Sequence, residues 1–241
     1  MNKEITNNLF EFWEEIGNSL HKLNISKNYK SIEITDSDWP NRIFDIHTNE
    51  DGFSTIIQLS REAKLPAVLT VEKPNTLNKN TNLKLVFGQL NMALNLSSEF
   101  DKLKANPNII EVTSKNDIEG FASTASASFG YYVDKKVIAQ IIEQSNKIKL
   151  FLYKLNNKYL GCGMIFIDAS NNAGLHMIGT LPEGRGKGIG KSITERLIIE
   201  AKRYKSNYCV LNASLMGKPI YEKLGFKPYG ELQTYRVLEN N

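Results

Sequence analysis

Between Thr180 and Ser192 the chain reads Thr-Leu-Pro-Glu-Gly-Arg-Gly-Lys-Gly-Ile-Gly-Lys-Ser, with glycines at 184, 186, 188 and 190. An apolar stretch precedes it, and a helical stripe of Ile189, Ile193, Leu197 and Ala201 follows. Amides at the start of a helix point outward with no partner inside it, and the dipole there favours negative charge. Glycines let a charged group approach such a backbone closely. The chemistry on offer is phosphate or diphosphate binding, for which three patterns compete. A Walker loop would end at Gly190-Lys191-Ser192, but Arg185 stands where its first glycine belongs. A dinucleotide Gly-x-Gly-x-x-Gly fails at Ile189 if begun at Gly184 and at Lys191 if begun at Gly186. The pattern Gln/Arg-x-x-Gly-x-Gly/Ala fits Arg185-Gly186-Lys187-Gly188-Ile189-Gly190.

Other groups able to do chemistry are few. Tyr221 lies in Ile220-Tyr-Glu-Lys-Leu-Gly-Phe226, about 30 residues beyond the loop. His176 is the only imidazole near the loop in sequence. The three histidines, at 21, 47 and 176, have no paired spacing, so no metal site is expected. Cys162 and Cys209 each sit in an apolar stretch and read as buried free thiols of a reducing cytoplasm. Trp39-Pro40-Asn41-Arg42 reads as a packed corner, with reach toward an acceptor as the alternative.

The elements that must position these groups are legible in outline. Ile5, Leu9, Phe12, Ile16, Leu20 and Leu23 predict a first helix. A strand at Ser31–Thr35, a turn at Asp51-Gly52, a helix over Ser54–Lys64 and a strand at Val68–Val71 follow. A polar loop (Lys73–Asn82) and two strands, Leu83–Phe87 and Met92–Leu96, complete a small α/β unit, with a boundary near Asn106-Pro107. Beyond it come a strand at Ile109–Val112, a helix over Asp117–Phe129 and a second helix capped by Asp134. The strands Lys149–Leu155 and Tyr159–Asp168 flank Asn156-Asn157, a hairpin signature. Next are a strand at Ala173–Leu181, a helix over Gly188–Lys205, a strand at Tyr208–Leu211, a helix over Ser214–Leu224 and two short final strands. Of 16 glycines, only Gly17, Gly52 and Gly88 precede residue 110, so close backbone approach to a ligand belongs to the second half.

Composition narrows the partners. The formal charge is +4 with scattered basic residues, which does not argue for nucleic-acid binding. No run approaches the roughly 18 apolar residues of a membrane span, and Glu4, Glu11, Glu14 and Glu15 exclude a signal peptide over the first residues. A cytoplasmic protein without membrane or nucleic-acid partners is expected; its oligomeric state is not legible.

The loop, the strand Gly174–Pro182 before it, the Ile220–Phe226 motif and the order β-α-α-β-β-β-α-β-α-β-β over residues 109–238 together resemble the GNAT superfamily of acyl-CoA-dependent N-acyltransferases. The resemblance covers slightly more than half of the chain. It implies an α/β fold with a mixed sheet: a GNAT domain at residues 106–241, preceded by a smaller α/β domain at residues 1–105 that is a degenerate copy or an acceptor-site lid. It implies acetyl-CoA as co-substrate and an amine acceptor on a small molecule, peptide or protein, acetylated by direct attack in a ternary complex. The amides of Arg185, Gly186, Lys187, Gly188, Ile189, Gly190 and Lys191 would hold the diphosphate. Ile178, Gly179 and Thr180 would pair with the pantetheine arm on a strand that bulges and splays from the next. Tyr221 would protonate the leaving thiolate. Ser214 stands where the family often has a cofactor-contacting asparagine, and Cys209 lies near where relatives place an acidic base. His176 or a water chain is then left to take the amine proton. Two other readings stay open: a non-catalytic acyl-CoA-binding regulator or scaffold, and a nucleotide-phosphate binder.

Overall fold

In the computed structural model, which describes residues 1–72, 80–97 and 103–239, the first apolar stripe lies on α1 (Asn2–Ser19), where Ile5, Leu9, Phe12 and Ile16 are buried. Three short strands follow: β1 (Leu23–Ile25), β2 (Lys30–Ile32) and β3 (Arg42–Phe44). Helix α2 (Glu50–Arg61) begins earlier than expected. The Asn49 side chain accepts a hydrogen bond from the Gly52 amide at 3.1 Å, so Asp51-Gly52 is the helix's first turn and not a free turn. Strand β4 (Val68–Glu72) follows, and the polar loop expected at Lys73–Asn82 falls mostly outside the described residues.

Strand β5 (Leu83–Asn95) is one continuous strand where the sequence suggests two. The suggested break falls at Gly88–Asn91. Asn91 is fully buried yet satisfied: its amide donates to Asn2 Oδ1 at 2.8 Å and Thr6 Oγ1 at 3.1 Å, and its oxygen accepts from Asn212 at 2.6 Å.

The second half follows its local signals closely. Strand β6 (Ile109–Glu111) leads to α3 (Lys115–Phe129), which Ser114 and Asp117 start with a reciprocal capping box. Asp134 caps α4 (Lys135–Gln144), as expected. Strands β7 (Ile148–Leu155) and β8 (Lys158–Ile167) form the expected hairpin, with Asn156 and Asn157 at φ 48° and 60°. Then come β9 (Ala173–Thr180), α5 (Ile189–Arg203), β10 (Tyr208–Ala213), α6 (Lys218–Lys223) and β11 (Lys227–Val237). The two short final strands are one, kinked by register shifts between Pro228 and Gly230 and between Thr234 and Tyr235.

All the described strands join one mixed sheet in the order β1-β2-β3-β4-β11-β5-β10-β9-β8-β7-β6. Strand β5 therefore lies between β10 and β11, so strands from before and after Asn106 share one sheet. One core packs α1, α3 and α4 against one face, with Phe12, Phe121, Ile138 and Phe166 at its centre. A second packs α5 and α6 against the other face through Ile193, Leu197, Leu211 and Phe226. Glycines in β8 set how deeply α5 sits. A Cβ at Gly163 would lie 2.6 Å from Ile193 Cγ2, and one at Gly161 would lie 2.8 Å from both Ile189 and Ile193.

Candidate acyl-CoA site

Strand β9 and the turn after it assemble the site. β9 pairs along its length with β8, but parallel pairing with β10 covers only Cys209 with Ala173 and Val210 with Gly174. From Leu175 to Thr180 the edge of β9 facing β10 has no strand against it. Opposite Gly163, β9 also carries an extra residue: the register passes from Cys162–Gly179 to Met164–His176, and Met177 has φ 51°. This is a β-bulge, which bends a strand and re-aims its groups. The Leu181 amide donates to the Leu160 carbonyl at 3.0 Å, so alternation turns the N–H and C=O of Thr180 to the open side. Bulge and splay are both as the resemblance implies.

Pro182–Gly184 form a single 3-10 turn, and Gly186 and Gly188 follow at φ 75° and 74°. Only glycine enters this region readily. A Cβ on either would meet nothing within 4 Å, so the requirement is conformational and the space above the loop is open. Gly188 caps α5, and the first amide bonded back to the loop is that of Ser192, to the Gly188 carbonyl at 2.9 Å. The amides from Gly186 to Lys191 have no partner among the described residues. They form an outward-facing donor set at the positive end of a 15-residue helix. Among the cations, Lys191 pairs with Glu195 at 2.9 Å, while Arg185 and Lys187 are exposed. Ile189 is buried, so only its backbone faces the loop.

Helix α6 closes one side. A Cβ on Gly190 would make ordinary contacts with Ile220 Cδ1 at 3.5 Å and Thr180 Oγ1 at 3.6 Å, which places α6, the helix start and the end of β9 together. Tyr221 is 8% exposed, packs edge-on against Phe226 at 5.9 Å and lies against Gly217. Burial pushes its phenol up to about 12. Ser214 spends its side-chain oxygen locally, accepting from the Gly217 amide at 3.1 Å, and α6 begins only at Lys218 because Pro219 suits a first turn.

The two base candidates are tied up differently. Cys209 is fully buried and its thiol is pushed well above the usual range. His176 is 8% exposed and stacks on Phe12 with ring centroids 3.9 Å apart. Its Nε2 lies 3.2 Å from Asn8 Oδ1, and Asn8 Nδ2 donates to Asp168 Oδ2 at 2.9 Å, so the network assigns the imidazole proton to Nε2. Burial lowers its pKa to about 3. The folded imidazole thus stays neutral where the unfolded one, with a pKa of about 6.5, takes a proton. Stability is intact above pH 6.5 and falls as pH drops toward 3. Between pH 6.5 and 5 the loss should be roughly 2 kcal/mol, above the range where the lowered carboxylates of Asp45 and Asp117 titrate. Urea titrations across that window should show the slope in the native protein and a flatter one in His176→Gln. Equal slopes would assign the loss to other groups.

Two residues near the bulge, Ser128 and Tyr131, escape sequence reading, whereas Arg42 belongs to the corner read from the sequence as packed or as reaching an acceptor. The Ser128 hydroxyl is buried without a partner, and a Cβ on Gly179 would lie 3.0 Å from it. The Tyr131 hydroxyl donates to Met177 Sδ at 3.6 Å. Arg42 lies over the Trp13 ring, its Cζ 4.1 Å from the centroid. Only the small-residue character of α3 hinted at the first.

A splayed, bulged strand leading into a helix start with unpaired amides, set in a mixed α/β sheet, is the arrangement of a GNAT-type fold. The family profile described as "Acetyltransferase (GNAT) domain" matches residues 110–237, more than half of the chain, and the chain belongs to that family. Solved structures extend the likeness of fold to the N-terminal part. A GCN5-related N-acetyltransferase from Kribbella flavida aligns with TM-score 0.70 at 12% identity, covering 100% of this chain and 96% of its own. One from Sphaerobacter thermophilus aligns at 0.63 and 14%, covering 95% and 87%. A GCN5-related N-acetyltransferase-like protein from Streptococcus suis aligns at 0.60 and 14%, covering 99% and 100%. No curated protein sequence matches the chain.

Proposed function

We propose that the protein transfers an acetyl group from acetyl-CoA to a primary amine in a ternary complex. The observation that carries this reading is the open edge of β9 running straight into the unpaired amides of Gly186 to Lys191. The fit is chemical as well as spatial: a strand edge suits the amide-rich pantetheine arm, and the helix start suits a diphosphate. Acetyl-CoA supplies a thioester acyl group activated for attack.

The residues of the chain divide the remaining work. Amides from Gly186 to Lys191 bind the diphosphate; the Arg185 amide, expected among them, is given to the Pro182 carbonyl at 3.2 Å, so Arg185 adds only exposed side-chain charge beside Lys187. The backbone of Ile178, Gly179 and Thr180 aligns the arm, and a free N–H there polarises the thioester carbonyl. Ser214 shapes the turn into α6 beside the arm. As the C–N bond forms and the C–S bond breaks, the amine loses one proton and the thiolate gains one. Tyr221 donates the second. A neutral His176 with a pKa of about 3, bonded to Asn8, is a poor acceptor for the first, which passes to water.

Acetyl-CoA and CoA are expected to raise the melting temperature where ATP does not. At 100-fold saturation the linkage gain is about 2.7 kcal/mol. No shift with millimolar acetyl-CoA or CoA would overturn the reading. Release of free CoA thiol on adding an amine panel then tests transfer itself.

A further inference from the structure

Arg42 is a cation without an anion. It is partly buried on β3, with its guanidinium against Trp13 and its Nε donating to the Pro40 carbonyl at 3.3 Å. The nearby acids Glu14 and Asp45 are both taken by Lys30, at 2.7 and 2.8 Å. Among the described residues no carboxylate pairs with Arg42, and the titratable group whose field reaches it is the Tyr131 phenol. Burial lowers its pKa to about 10, the sign of a desolvated charge that nothing in the chain offsets.

Its position gives the charge a use. Tyr131, whose field reaches Arg42, also reaches the proposed site, because its hydroxyl donates to Met177 Sδ in the β9 bulge. The orphaned Ser128 hydroxyl faces the same bulge from α3, beside Gly179. The unpaired Ser128 hydroxyl and Tyr131 thus lie against the strand segment where an acyl group would be presented, with the cation on its aromatic floor behind Tyr131. Guanidinium offers a planar fork of donors that matches a carboxylate or phosphate oxyanion.

Building on the acetyltransferase reading above, we propose that Arg42 receives an oxyanion carried by the acceptor, so that the substrate is an amine bearing a carboxylate or a phosphate, with Trp13 and Tyr131 as the walls of that subsite. A neutral amine leaves the arginine desolvated and unpaired. An acceptor with an oxyanion completes it.

Acetylation rates with matched pairs test this: α-amino acids against their carboxamides, and phosphoethanolamine against ethanolamine. The native protein is expected to prefer the charged member of one pair by about 30-fold or more in kcat/KM, and which pair responds tells carboxylate from phosphate. Arg42→Met should abolish that preference while keeping the acetyl-CoA thermal shift. Arg42→Lys, which retains the charge but not the fork, should recover part of it. Equal turnover of charged and neutral members by the native protein, or turnover of neither, overturns the proposal, as does an Arg42→Met variant that keeps the preference. Failure of the acetyltransferase reading is distinguishable, since it would appear as the absence of any acetyl-CoA shift in the native protein.

Discussion

Replacing Gly188 by valine is expected to raise the Kd for acetyl-CoA by about 100-fold or more while the protein still folds. The backbone there has φ 74°, which costs an L-residue roughly 1–2 kcal/mol and a β-branched one more. No neighbour lies within 4 Å of the new Cβ, so the core is not disturbed. The loss falls instead on binding. Either the loop relaxes toward negative φ and its amides turn away, or the side chain stands in the space a diphosphate needs. Hydrogen bonds to charged groups are worth about 1.5–3 kcal/mol each, so losing one or two accounts for the factor of 100. Gly190→Ala is the control, because its Cβ would make only ordinary contacts at 3.5 and 3.6 Å. Calorimetric titration of both variants decides the matter; an unchanged affinity in Gly188→Val places the diphosphate elsewhere.

Tyr221→Phe is expected to lower turnover by about 10²–10⁴-fold, the usual worth of a general acid, with little change in cofactor affinity. The ring packing against Gly217 and Phe226 survives the substitution, and only the transferable proton is lost. The raised pKa sharpens the expectation. A phenol near 12 against a thiol of about 8.5 makes transfer uphill by roughly 5 kcal/mol on the aqueous scale, more than the roughly 2 kcal/mol of an unshifted tyrosine. The same burial desolvates a thiolate formed beside it, which raises the thiol and narrows the gap. Because the phenol must be protonated to act and stays so up to about pH 12, turnover should show no alkaline fall due to this group below about pH 11. A Phe variant keeping more than about a third of native turnover, under conditions where chemistry limits the rate, removes Tyr221 from the mechanism.

The parts of this molecule that local chemistry decides are legible in its residues. Gly186 and Gly188 at positive φ, the Asn156-Asn157 hairpin, the Asp134 cap and the stripe of α5 each depend on a few neighbours along the chain. What escaped depends on distant partners. Asn91 reads as an interruption of a strand until Asn2, Thr6 and Asn212 are brought to it. His176 reads as a candidate base until Asn8 and Phe12 on α1 enclose it. Ser128 at the end of α3 and Tyr131 just beyond it reach the β9 bulge, and no spacing announces that. The sequence predicts seven strands over residues 109–238 where the structure has six, for the same reason. Two short apolar runs near the end share one partner strand, β5, and are thereby a single strand.

The seating of β5 between β10 and β11 also sets a timetable for synthesis. Strand β4 needs β11 along one edge, and β5 needs β11 on one side and β10 on the other. The ribosome delivers β4 and β5 well before their partners β10 and β11. Until the residues up to Val237 have emerged, the nascent chain carries strand edges with unmet hydrogen bonds, and such edges invite pairing with other chains. The exposed Leu85, Val86 and Phe87 lie on β5 itself. The sheet that holds the site is thus closed only once β11 has emerged, and until then the chain depends on holding β4 and β5 apart from other strands.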